Sequence, residues 1–277
     1  IANKKFVFRL KAIQKGWNME RNTNAVIRTN KLCKSYMNGE VPQHVIKNMD
    51  IQIFYKDFTV FMGPSGSGKS TLLHILSGMD RASMGEVYFK DTNFSKYSER
   101  QLARFRKKNC GFVFQQVCLI GSMSLMDNVL VSGLLANRNK KQVAEKGRKL
   151  FAEVGLAEKE WGKYPSQISG GQMGRAGIVR ALINNPEVVF ADEPTGALDS
   201  TSGKAVLDLL TEFNRKGQTT IMVTHDLKSA LRGNRILYLR DGRINGECSL
   251  GAYQGEDEPV LEERKEKLFH FLEEMGW

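Results

Sequence analysis

The chain has 277 residues, 41% of them hydrophobic and 26% charged, which is the composition of an ordinary globular protein with ample apolar material for a core. Its most apolar windows, 72–79 and 128–135, fall well short of the roughly 20 residues a spanning helix needs, so any membrane role must come through a partner. The net charge of +11 looks like a nucleic-acid footprint only until it is located: residues 1–18 hold five bases and no acid, residues 256–277 hold eight acids against three bases, and the body between is moderately basic.

A moderately basic body suits a phosphate ligand and an anionic membrane face, and no nucleic-acid partner is expected. Residues 1–22 read as a basic leader, either not native to the protein or disordered. The competing reading is a short amphipathic membrane-surface element built on its Lys, Phe and Trp17 residues. Segments 26–33 and 45–62 read as short strands, the second with an alternating part at 45–49 and a dense apolar run at its end. A glycine-rich loop follows, then a helix with Leu72, Leu73, Ile75, Leu76 and Met79 at helical spacing. Residues 85–90 form another strand, 98–108 a basic helix, and 123–161 are mostly helical.

Residues 187–190 and 219–224 are short and nearly all apolar, the pattern of strands buried on both faces of a parallel sheet. A helix near 201–215 joins them into a βαβ unit. After a strand at 235–239, Asp241-Gly242 signals a hairpin turn. The tail carries Leu261, Leu268, Leu272 and Met275 on one helical stripe, read as packing on its own domain. The scattered Cys33, Cys110, Cys118 and Cys248 read as reduced thiols rather than a disulfide framework or zinc site.

Gly63-Pro64-Ser65-Gly66-Ser67-Gly68-Lys69-Ser70-Thr71 matches GxxxxGK[ST] between a strand and a helix, the context a phosphate loop requires. Its glycines permit a path in which successive backbone N–H groups wrap an anion, and the helix adds its positive end. Lys69 is then expected to reach the β- and γ-phosphates of a nucleotide, with the Ser70 hydroxyl on Mg²⁺.

About 120 residues on, an apolar strand ends in Asp192-Glu193. A buried strand end is a poor place for carboxylates unless a cation or a proton needs them. Asp192 is placed to help hold Mg²⁺ and Glu193 to orient and deprotonate the attacking water. His225 ends the next apolar strand. Parallel strands bring their C-terminal ends to one edge, so His225 is expected beside Lys69 and Glu193.

These residues, with Ser166-Gln167-Ile168-Ser169-Gly170-Gly171-Gln172, resemble the ABC ATPases, whose LSGGQ signature the last segment nearly repeats. The resemblance covers roughly 26–247. It implies an α/β P-loop NTPase fold: a RecA-like core with a mostly parallel sheet, an antiparallel β-subdomain and an inserted helical subdomain at about 116–178, within a domain spanning 23–247. Residues 248–277 then form a C-terminal extension with an acidic amphipathic helix. It further implies that Tyr36 stacks on adenine and that Gln115 touches Mg²⁺ or water and couples to a transmembrane partner. Ser169, Gly170, Gly171 and Gln172 would close over the γ-phosphate held by a second copy, Asp199 would communicate across that dimer, and His225 would be the switch histidine. Ile168 for leucine is a volume-conserving departure, and no catalytic position is lost.

The segment from Asp192 to Ser200, with Gly78-Met79-Asp80-Arg81, resembles ATPases of the macrolide-exporter, lipoprotein-release and bacitracin- or lantibiotic-resistance type. That resemblance implies a homodimer driving a separate membrane permease from the cytoplasmic side of a bacterial membrane, in antimicrobial-peptide export or resistance. A lipoprotein-release or cell-division role is the alternative. A DNA-repair ATPase would carry long coiled coils between the phosphate loop and the signature, yet Lys69 and Ser169 are only 100 residues apart.

Overall fold

The computed structural model describes residues 24–255 and 258–277; the leader expected over 1–22 lies outside the described residues. Two sheets result. The first is antiparallel. Its β1 (Ala25–Asn38) turns through Gly39, at a left-handed φ of 64°, into β2 (Val41–Met49). β1 also pairs with β3 (Gln52–Phe54) and β5 (Met84–Phe89), and β6 (Thr92–Asn93) adds to β5. The stretch 45–62 is therefore three strands, because Lys56 takes a left-handed turn (φ 62°) between β3 and β4 (Phe58–Met62). β1 runs past the expected 26–33 because residues 34–38 pair with 41–46, a hairpin partner that local patterning does not reveal.

The second sheet has the order β11-β10-β4-β9-β8-β7. β7 (Cys110–Phe114), β8 (Val188–Asp192), β9 (Thr219–Val223), β4 and β10 (Arg235–Arg240) are parallel. β11 (Arg243–Ser249) returns antiparallel through the Asp241-Gly242 turn. β4 and β9 are buried at every position and β8 at all but its last, which accounts for their unbroken apolar runs.

Side chains alternate between two cores. Phe61, Phe190, Ile221 and Val223 face a cluster shared with α1 (Lys69–Leu76), α2 (Glu99–Asn109) and the antiparallel sheet. Val60, Val189 and Met222 face the other, shared with α3 (Leu125–Ala136), α4 (Lys140–Glu153), α6 (Gly170–Leu182), α7 (Ser200–Arg215) and α9 (Glu258–Glu274). α5 (Glu158–Trp161) and α8 (Leu227–Ala230) are single turns. α9 buries Leu268, Phe271 and Leu272 against this second cluster, close to β11 at Gly246. Among the described residues, no helix is long and apolar enough to cross a membrane.

Candidate active site

The loop between β4 and α1 can only be built from glycine at two points. A Cβ on Gly63 (φ 149°) would lie 1.9 Å from the Leu239 carbonyl oxygen of β10, and one on Gly68 (φ 102°) would meet Ile46 and the Val45 carbonyl at about 3 Å. Lys69 is buried and donates from Nζ to the carbonyls of Gly63 (2.8 Å) and Pro64 (2.9 Å), so its ammonium spans its own loop. Burial lowers its pKa, against the opposing pull of Glu193 and Asp192. Ser67 Oγ is buried with no hydrogen-bond partner, which leaves the loop with unspent polar capacity at its centre.

The C-terminal ends of β8 and β9 supply the acids and the histidine. Asp192 Oδ1 accepts from Ser70 Oγ at 3.0 Å, joining the two elements that carry the expected metal donors. Burial raises the Asp192 pKa, while the Ser70 hydrogen bond and nearby His74 pull it down. Glu193 sits in the left-handed region at φ 46°, a strain of order 1 kcal/mol for a residue with a Cβ. Its backbone is pinned there by N–H donation to Val223 O (3.0 Å). Its carboxylate accepts from Thr224 Oγ1 (3.2 Å) and lies 2.8 Å from His225 Nδ1. The edge thus brings Lys69, Ser70, Asp192, Glu193 and His225 together, and a cleft of about 850 Å³ is lined by Lys69, Ser70, Thr71, Glu193 and His225 with Ser65, Gly66 and Gly68.

Other expected residues lie elsewhere. Ser169 is the N-cap of α6: its Oγ accepts from Gln172 N (3.2 Å) while Gln172 Oε1 accepts from Ser169 N (2.8 Å). Gln172 also donates from Nε2 to Glu160. A Cβ on Gly171 would come within 2.6 Å of Ser202 Oγ, and one on Gly170 within 3.3 Å of Leu198, so the glycines let α6 close on the start of α7. Asp199 caps α7, accepting from the N–H groups of Thr201 and Ser202 at 3.0 Å, bonds that lower its pKa. None of these residues lines the cleft that holds Lys69. Gln115 is exposed, with its amide against Gly196. Tyr36 donates to Asp80 Oδ2 (2.7 Å), has the Lys34 ammonium 4.7 Å from its ring centre, and also stands outside the cleft lining.

Residues 46–196 match the model of the ABC transporter family. The chain belongs to that family, as one of its ATP-binding cassettes. The ABC transporter ATP-binding protein MJ1508 of Methanocaldococcus jannaschii is 44% identical over 219 residues, covering 79% of this chain and 97% of that protein. The bacitracin export ATP-binding protein BceA of Halalkalibacterium halodurans is 39% identical over 221 residues, 79% of this chain and 87% of its own. The macrolide export ATP-binding/permease protein MacB of Escherichia coli is 41% identical over 219 residues, and the chain spans 34% of its length. Among solved structures, the dimeric ATP-binding cassette MJ0796 bound to ADP and Pi superposes with a TM-score of 0.74 at 36% identity, covering 82% of this chain and 100% of that one.

The cleft of this ABC cassette also contains residues that sequence reasoning did not single out. Val45, Tyr238, Arg240, Gly276 and Trp277 line it together with the phosphate loop. Thr224 holds the second oxygen of Glu193, and His74 Nε2 lies 3.8 Å from Asp192. Thr224 was within reach of the sequence, as a hydroxyl beside His225 at a strand end. Tyr238 and Trp277 were not, because no local pattern brings β10 and the tail to the phosphate loop.

Proposed function

We propose that this cassette dimerises on ATP, hydrolyses it, and uses the cycle to drive a membrane permease in antimicrobial-peptide export or resistance. The observation that carries the reading is the division of the motif residues. Lys69, Ser70, Glu193 and His225 line one cleft, with Asp192 bonded to Ser70 behind it, while Ser169, Gly170 and Gly171 sit at the start of α6 outside it. A site so divided is completed by the signature of a second copy.

In this reading Lys69 and the loop N–H groups hold the phosphates. Glu193 aligns water on the γ-phosphorus and takes its proton as the bond to the ADP oxygen breaks. His225, beside Glu193, registers whether the γ-phosphate is present. Ser70 and the Asp192 carboxylate are the paired oxygen donors that would hold Mg²⁺, with the Gln115 amide brought to them only on closure, and the ion would neutralise charge on the transferring phosphoryl group. The 3.0 Å Ser70–Asp192 approach already has the compactness such an ion needs. Loss of γ-phosphate contacts reopens the dimer. Moving that equilibrium from 1:99 to 99:1 takes about 5.5 kcal/mol of differential binding, which two ATP molecules supply and ADP does not.

The helical insertion at about 116–178 is the part of the domain that carries the signature and, through Gln115 at its root, faces the permease at the cytoplasmic side of a bacterial membrane. The peptide cargo is supported by the similarity to the bacitracin export protein over 87% of its length. Glu193→Gln tests the core of the proposal: ATP binding persists, turnover falls by at least about 100-fold, and the variant sediments as an ATP-dependent dimer. Turnover at the parent rate in that variant would overturn the assignment of Glu193.

A further inference from the structure

Glu193 is held by three consecutive residues at the end of β9. Its N–H donates to Val223 O (3.0 Å), its Oε2 accepts from Thr224 Oγ1 (3.2 Å), and its Oε1 lies 2.8 Å from His225 Nδ1. The two side-chain holders differ in how firmly they stand. The His225 side chain is 68% exposed, with room to move, whereas Thr224 is fully buried. Thr224 is also β-branched, which restricts its χ1 and so where its hydroxyl lies. Its backbone is tied as well, since Thr224 N donates to Phe61 O (3.1 Å) of β4, the strand that runs into the phosphate loop. Thr224 thus stands between the strand that carries the loop and the strand that carries the acid.

The direction of each hydrogen bond follows from what its partners can do. The Thr224 hydroxyl accepts from Asp226 N (3.0 Å), which can only donate, and this leaves the hydroxyl proton for Glu193 Oε2. Asp226 is in turn fixed as the N-cap of α8, accepting from Ser229 N and Ser229 Oγ at 2.7 Å. With its own proton on Asp226, Ser229 Oγ accepts from Thr195 Oγ1 at 3.3 Å, two residues beyond Glu193. A ring of polar groups, fully buried at Thr224 and Ser229, therefore runs from the carboxylate through β9 and α8 and returns to the same segment. Apolar residues of the same shape would fill Thr224 and Ser229 without desolvating a hydroxyl, so the distinct contribution of the ring is where it puts the carboxylate.

We propose that Thr224 is a positioning residue for ATP hydrolysis: by donating to Oε2 it fixes the plane of the Glu193 carboxylate relative to the phosphate loop, so that an oxygen stays aimed at the attacking water. This rests on the reading of Glu193 as the base. A carboxylate oxygen has two lone-pair directions, so Oε2 can accept from Thr224 and the group still has capacity for a water proton. Thr224 does not itself line the cleft, so its hydroxyl acts on turnover through Glu193 and not on nucleotide binding. A misplacement of about 1 Å is enough to slow a reaction step heavily.

Thr224→Val keeps the shape and removes the proton donor. Steady-state assays should show kcat down about tenfold or more, the scale of one hydrogen bond to a charged group, with the KM for ATP near the parent's. Thr224→Ser should recover most of that loss. Should Thr224→Val not fold, Thr224→Ser and Thr224→Ala carry the same comparison, because they leave equal space and differ only in the hydroxyl. The effect must also pass through Glu193: in a Glu193→Gln chain, adding Thr224→Val should slow the residual turnover no further. Parent-like kcat in Thr224→Val, a loss carried by KM instead of kcat, equal rates for Thr224→Ser and Thr224→Ala, or a full further loss in the Glu193→Gln chain would each overturn the inference. Turnover at the parent rate in Glu193→Gln alone is the separate result that removes the base reading, and the role of Thr224 with it.

Discussion

At the scale of single residues, the site keeps a charge where folding alone would not. Asp192 closes the otherwise buried strand β8, and burial raises its pKa in spite of Ser70 and His74. A folded-state pKa above the unfolded value means that the ionised form costs stability at neutral pH, and that the cost is relieved as pH falls through the raised value. Asp192→Asn keeps an acceptor for Ser70 and removes the charge. It should therefore raise the melting temperature of the nucleotide-free chain by a few degrees at pH 7 while abolishing turnover. The difference should vanish below the ordinary carboxylate range, near pH 3, where both side chains are neutral. Melting at or below the parent temperature at pH 7 would show that the carboxylate is structural. Glu193 makes the same point through its backbone, since a φ of 46° is kept at a residue whose side chain pairs with His225 and Thr224.

At the scale of elements, helix ends and buried cations fix what the strands cannot. Arg264 of α9 donates from Nε to Leu231 O (2.7 Å), from Nη1 to Leu250 O (2.9 Å) and Gly251 O (3.1 Å), and from Nη2 to Gly233 O. It is 7% exposed, and burial pushes its pKa down to about 10. Arg264→Ala strands these carbonyls and should cost about 2 kcal/mol or more in urea unfolding, with hydrogen exchange rising along α9. The exposed neighbour Lys265→Ala should stay within about 0.5 kcal/mol. Equal stability of the two variants would mean that α9 is held by its apolar face alone. This anchoring is also where sequence reading stops. The phosphate loop, strands at 187–190 and 219–224 and a basic helix at 98–108 were legible, matching β8, β9 and α2 to within two residues at each end, because each is dictated by neighbours within a few residues; the Ser98 cap was not read. The β1–β2 hairpin, the clamp of Arg264 on carbonyls 13 to 33 residues away, and the meeting of Trp277 with Tyr238 depend on long-range closure, which leaves no local periodicity to read. Asp199 was legible as a residue worth naming; its capping of α7 was not anticipated, because the resemblance had already given it another role.

At the scale of the whole molecule, the two groups of residues proposed to share the chemistry are held apart by the fold itself. Lys69 and Glu193 belong to the edge of the parallel sheet, whereas Ser169 caps α6, and Gly170 and Gly171 pack on Leu198 and Ser202. α6 is buried along much of its length, with Ala176, Ile178 and Val179 almost fully enclosed, so its N-terminus cannot swing to its own phosphate loop without opening the core. A second copy is the cheaper way to unite the halves, and a two-fold dimer makes two such sites. Lys69→Ala spoils the loop half, and Ser169→Arg spoils the signature half by setting a bulky cation where a small cap is needed. Each variant alone should hydrolyse ATP near background. In an equal mixture half of the dimers pair unlike chains, and each of those rebuilds one site from a sound loop and a sound signature. About a quarter of all sites are then restored, and the steady-state rate should climb toward that fraction of the parent's. A mixture no more active than its components would place both halves of each site in one chain, and a monomeric mechanism would follow.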